Sequence, residues 1–107
     1  MATRSFWGWG FEESGPDEHQ AAAIVAGLSA RLETPLELRD PPRIEDLDLP
    51  EPRLTPPASL EKACSREPWE RARHCYGRSF YDLVRGARGD FRCAPDWVAF
   101  PSDEAEV

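Results

Sequence analysis

The amino-acid sequence predicts a mainly α-helical segment of about four short helices, interrupted by a proline-rich extended belt and finished by one C-terminal strand. Three observations predict it. Apolar side chains recur at helical spacing between residues 16 and 33, seven prolines fall between Pro35 and Pro57, and further helix-start signals stand at Thr55-Pro56, Pro68 and Ser79. At 107 residues the chain has room for one small domain, and small domains bury a low fraction of their surface. A modest core with long irregular connections is therefore expected.

The elements follow in order. Phe6, Trp7, Trp9 and Phe11 crowd four aromatic rings into six residues; such an arm is expected to staple the terminus onto a neighbouring surface, because those rings are too apolar for a solvated tail. Gly15-Pro16 is read as opening a helix, with Asp17 and Glu18 suited to its positive end. Ala21, Ile24, Val25, Leu28 and Leu32 form one stripe along it, which is expected to be core. The helix should stop before Thr34-Pro35. From Pro35 to Pro57 the prolines break every helix, while Leu36, Leu38, Ile44, Leu47, Leu49 and Leu54 supply apolar anchors. That pattern reads as a belt laid across another domain's surface, since a stretch this long without regular structure is unusual inside a compact domain and a flexible linker would lack the leucines.

A second helix is expected from Thr55-Pro56 through Leu60 and Ala63 to about Ser65. A third starts at Pro68, capped by Ser65 or Glu67, with Trp69, Ala72 and Tyr76 on one face, and Gly77 is placed to end it in the left-handed conformation. Ser79-Phe80-Tyr81-Asp82 has the form of a capping box and predicts a fourth helix with Phe80, Leu83 and Val84 inward, closed by Gly86 and Gly89. Trp97-Val98-Ala99-Phe100 is a short strand stopped by Pro101. Asp103, with Glu106 three residues on, caps a further helical turn at the end of the chain.

Charge and chemistry narrow the function. The net charge of -7 is uneven: residues 1 to 60 carry 11 acids and 5 arginines, whereas residues 66 to 92 carry 7 arginines and 4 acids. A surplus of three cations is too small for a nucleic-acid backbone, where affinity comes from neutralised phosphates. Cys64, Cys75 and Cys93 form no CxxC pair and there is no leader-like start, so a reducing cytoplasm is expected. No apolar run suffices for a membrane span. His74 beside Cys75 raises zinc binding or thiol catalysis, but the spacings fit no zinc pattern, and structural cysteines are expected. His19 reads as solvated. The acids from Glu45 to Glu51 alternate with leucine and proline and read as a charged outer edge. With no phosphate-cradling glycine loop in the sequence, no residue is assigned a catalytic, cofactor-binding or metal role.

Three stretches together carry a resemblance. They are Trp7-Gly8-Trp9-Gly10-Phe11; the run from His74 to Arg85, similar to H-x-x-G-[KR]-S-x-x-D-[LV]; and the run from Pro95 to Val107, similar to P-D-x-V-x-x-P followed by an acidic helix start. In order and character they resemble the start of the alkyldihydroxyacetonephosphate synthase-like FAD-linked oxidases, a branch of the vanillyl-alcohol oxidase superfamily. The resemblance implies an intact protein with an α+β, PCMH-type FAD-binding fold. Residues 1–94 would then be a bracing region, and residues 95–107 the first strand and helical turn of the flavin domain. FAD would be held by residues beyond Val107, as would the catalytic groups. The reaction would be that of an alkylglycerone-phosphate synthase or of a 2-hydroxy-acid oxidase or dehydrogenase. The expected partners are the remainder of the same polypeptide, FAD, a small-molecule substrate and a second copy in a homo-oligomer, with no nucleic acid. The alternative reading is a stand-alone helical interaction module.

Overall fold

A computed structural model describes all 107 residues, Met1–Val107. They form two compact units, one of Met1–Arg4 with Gly10–Pro41, the other of Ser5–Trp9 with Pro42–Val107.

In the first unit, Arg4 and Phe11 make an antiparallel bridge, and the Glu12 N–H donates to the Thr3 carbonyl at 2.8 Å. The Arg4 guanidinium lies 5.0 Å from the centre of the Phe11 ring. Helix α1 (Glu18–Leu32) starts two residues later than expected. Asp17 is its N-cap and shares a full capping box with Gln20, so Pro16 precedes the helix: a carboxylate that accepts a first-turn N–H is a stronger start than a proline that merely lacks one. Its end is as expected, with Glu33 left-handed at φ 50° and the Thr34 N–H bonded to the Ser29 carbonyl. The stripe is not core. Ala21 and Val25 are half-buried, but Ile24, Leu28 and Leu32 are 53%, 44% and 60% exposed. An apolar helix face is buried only when a second layer lies on it, and α1 is the sole long element of its unit.

In the second unit the belt has no regular structure apart from a 3-10 turn at Ile44–Asp46. Its pattern is nevertheless ordered: Ile44, Leu47 and Leu49 are half-buried while Glu45, Asp46 and Asp48 face water. The helix expected from Thr55 does not form. A turn closed by the Leu60 N–H on the Pro57 carbonyl leads to a 3-10 turn at Glu61–Ala63 and strand β1 (Cys64–Ser65). β1 pairs antiparallel with β2 (Val98–Ala99), Cys64 opposite Ala99 and Ser65 opposite Val98. The Phe100 N–H extends the ladder to the Ala63 carbonyl at 2.7 Å. Few residues separate Pro57 from Cys64, too short a run for an isolated helix to hold against that pairing.

Helix α2 (Pro68–Arg73) begins with proline at its first turn as expected, and Ser65 Oγ accepts the Glu67 N–H. It ends at His74, and the left-handed residue is Arg78, φ 70°, rather than Gly77. Helix α3 (Phe80–Ala87) opens on the Ser79–Asp82 capping box. Leu83 and Val84 are half-buried, but Phe80 is 71% exposed. Gly86, not Phe80, is the buried residue of this helix; with Asp82 and Leu83 it forms the inward face, and Phe80, six residues before Gly86 and so about 240° round the helix, points outward. Gly89, at φ 71°, closes the segment.

The core of this unit is Phe6, Ala72 and Phe91, with Trp7, Leu47, Trp69 and Tyr76 packed around it. Phe6 and Phe91 stand 5.7 Å apart at a 50° tilt, and Tyr76 and Phe91 6.1 Å apart, separations at which aromatic pairs attract. Of the arm, Phe6 and Trp7 are thus part of the core, whereas Trp9 is 64% and Phe11 38% exposed. No helix is long and apolar enough to cross a membrane.

A Cβ added at Gly86 would lie 2.9 Å from the Trp7 carbonyl oxygen and 3.2 Å from its Cβ. Inside a helix, Gly→Ala ordinarily gains about 1 kcal/mol; here Gly86→Ala is expected to lose about 1–3 kcal/mol by overpacking. Urea unfolding followed by tryptophan fluorescence reads the sign, and a more stable variant would contradict the packing described.

Candidate functional site

The polar groups that organise this chain converge where irregular backbone is buried. Arg78 is the first. Its guanidinium donates to the Gly8 carbonyl at 2.6 Å, the Ser5 carbonyl at 3.3 Å and the Arg73 carbonyl at 3.2 Å, and its own carbonyl accepts the Trp9 indole N–H at 3.0 Å. The arm has no helix or sheet to take up its carbonyls, so a five-donor fork does so. Ser5 Oγ accepts the Gly8 N–H at 2.9 Å and completes the turn. Between arm and helices the remaining void is about 10 Å³, no more than one water.

Arg71 and Asp96 do the same for the belt. Arg71 is 5% exposed and donates from Nε to the Pro95 carbonyl at 2.6 Å and from Nη2 to the Pro50 carbonyl at 2.5 Å. Asp96 is 9% exposed, and its Oδ2 accepts the backbone N–H groups of Arg53 at 3.0 Å and Leu54 at 2.8 Å. Burial acts to raise the Asp96 carboxyl. The two backbone donors and the charges of Arg53 and Arg71 outweigh it and hold the group below the ordinary aspartate value. The Arg53 side chain lies 3.7 Å away and is 86% exposed, so its attraction is screened by water and ranks behind the two backbone donors.

The residues singled out for chemistry in the sequence are dispersed. His74 follows α2, its Nδ1 2.8 Å from the Glu70 carbonyl and 3.4 Å from Glu70 Oε2. Its ring is edge-on to Phe100 at 6.0 Å. Cys75 packs against the core, and burial pushes its thiol up, away from nucleophile character. Burial likewise raises the Tyr76 hydroxyl to about 12. Cys64 is half-buried in β1 and Cys93 is exposed. No three His, Cys, Asp or Glu side chains stand together as a metal site. His19 is exposed in the first turn of α1. Beside β1 an open cleft of about 440 Å³ is lined by Lys62, Cys64, Ser65, Phe100 and Glu106 among others. Glu106 is already engaged there by the Ser102 N–H.

The starts of α1 and α3 do not suit a pyrophosphate either. Both are filled by the carboxylates of Asp17 and Asp82 in their own capping boxes, so a second anion would meet charge repulsion where dinucleotides usually find free N–H groups.

No family model matches the chain, and no curated protein does. A solved structure of alkyldihydroxyacetonephosphate synthase has its fold. The likeness covers 97% of this chain at a TM-score of 0.70 and 20% identity, and the chain spans 24% of the synthase's length. The two-stranded sheet and short helices are therefore those of a fragment of a synthase-like fold. Arg71, Arg78 and Asp96 were missed as organisers by sequence reasoning, although Arg78 occupies the [KR] position of the central motif and Asp96 the D of P-D-x-V.

Two outcomes follow from this geometry. Arg78→Ala is expected to lose about 2 kcal/mol by stranding the arm carbonyls. Arg78→Gly should lose less by about 1 kcal/mol, because glycine adopts φ 70° without strain. Equal losses in chemical denaturation would contradict the left-handed assignment. For Asp96 the folded value lies below the unfolded one, so its contribution is complete above the unfolded value of about 3.9 and is lost as pH falls through the folded value. The urea midpoint should fall below about pH 4, with a flatter acid limb in Asp96→Asn; identical acid limbs would show that Asp96 does not hold the belt.

Proposed function

We propose that this chain is the N-terminal part of an FAD-dependent oxidoreductase, alkylglycerone-phosphate synthase-like or 2-hydroxy-acid oxidase-like, and that it braces the outside of the flavin domain. The observation that carries the reading is the agreement of fold over 97% of the chain with a synthase four times its length. The three motif stretches support it independently, since they occur in the order expected of that family.

The bracing role rests on surface. Ile24, Leu28, Leu32, Leu36, Leu38 and Leu54 are 39% to 64% exposed, and large apolar side chains left open in this number are what a covalent neighbour would cover. In this reading Pro95–Val107 leads into the flavin domain, with β2 as its first strand and the Asp103-capped turn, Glu104–Glu106, as the start of its first helix. FAD would supply the electron chemistry, and the groups that bind and orient it would lie beyond Val107. This chain's own share is mechanical: it holds the first strand in register through Asp96, Arg71 and the β1 ladder.

The reading is tested on the full coding sequence. A glycine-rich phosphate loop is expected about 25 to 40 residues past Val107, and the purified full-length protein should show the visible absorption bands of bound flavin. A colourless protein that takes up no added FAD would overturn the proposal and favour a stand-alone interaction module.

A further inference from the structure

We draw no further inference here: the strongest candidate, the patch of exposed rings formed by Phe80 and Tyr81 at the start of α3 and by Trp9, whose indole N–H is tied to the Arg78 carbonyl beside them, carries nothing, because the arginine next along that helix, Arg85, is already paired with Asp82 and nothing in the structure shows what covers the rings.

Discussion

Buried backbone that is neither helix nor sheet must still find hydrogen-bond partners, and in this chain two guanidinium groups bond five carbonyls. Arg78 gathers the carbonyls of the N-terminal arm and of the end of α2; Arg71 gathers those of the belt and of the segment before β2. Arginine suits the task because its donors diverge from a rigid plane, so that one side chain reaches several carbonyls. Asp96 is the complementary acceptor, taking up the belt's N–H groups. Without these three residues the arm and the belt would expose or strand their polar backbone. The apolar contacts of Phe6, Trp7, Leu47 and Leu49 could not then persist.

This constraint explains why the segment is economical in regular structure yet well defined. Helices α2 and α3 are short, and their stability comes from what they hold rather than from propagation. The close approach of Gly86 to Trp7 fixes α3 against the arm, and the Tyr76 and Phe6 rings fix Phe91 between them. On the proposed reading, such an arrangement would transmit the position of the arm and belt to β2, the strand from which a flavin domain would grow. The exposed stripe of α1 would face covalent neighbours in that protein.

Much of the local structure was legible in the sequence because its signals act over a few residues. The Ser79–Asp82 box, Pro68 at the head of α2 and the Asp103 cap found their expected forms, as did Ile44, Leu47 and Leu49 among the belt's six anchors, while Leu36, Leu38 and Leu54 stayed exposed. What failed depended on distant partners. The run after Thr55 was taken by β2, some forty residues later in the chain, and the facing of Phe80 was decided by Trp7 on the other side of α3. The left-handed residue moved from Gly77 to Arg78, where side-chain bonds to the arm offset the backbone cost of a non-glycine residue. The α1 stripe was correctly periodic, but periodicity does not state what covers a face. The polar organisers were legible only as motif letters, since a buried arginine and an exposed one look alike in sequence.

The most direct test of this account is the exchange of arginine side-chain protons with water, read by nitrogen-15 NMR. If Arg71 and Arg78 hold buried backbone carbonyls, the Arg71 Nε–H and the Arg78 guanidinium protons will exchange much more slowly than those of exposed Arg53. Exchange at the rate of Arg53 would mean that these guanidiniums are solvated and that something else holds the arm and the belt.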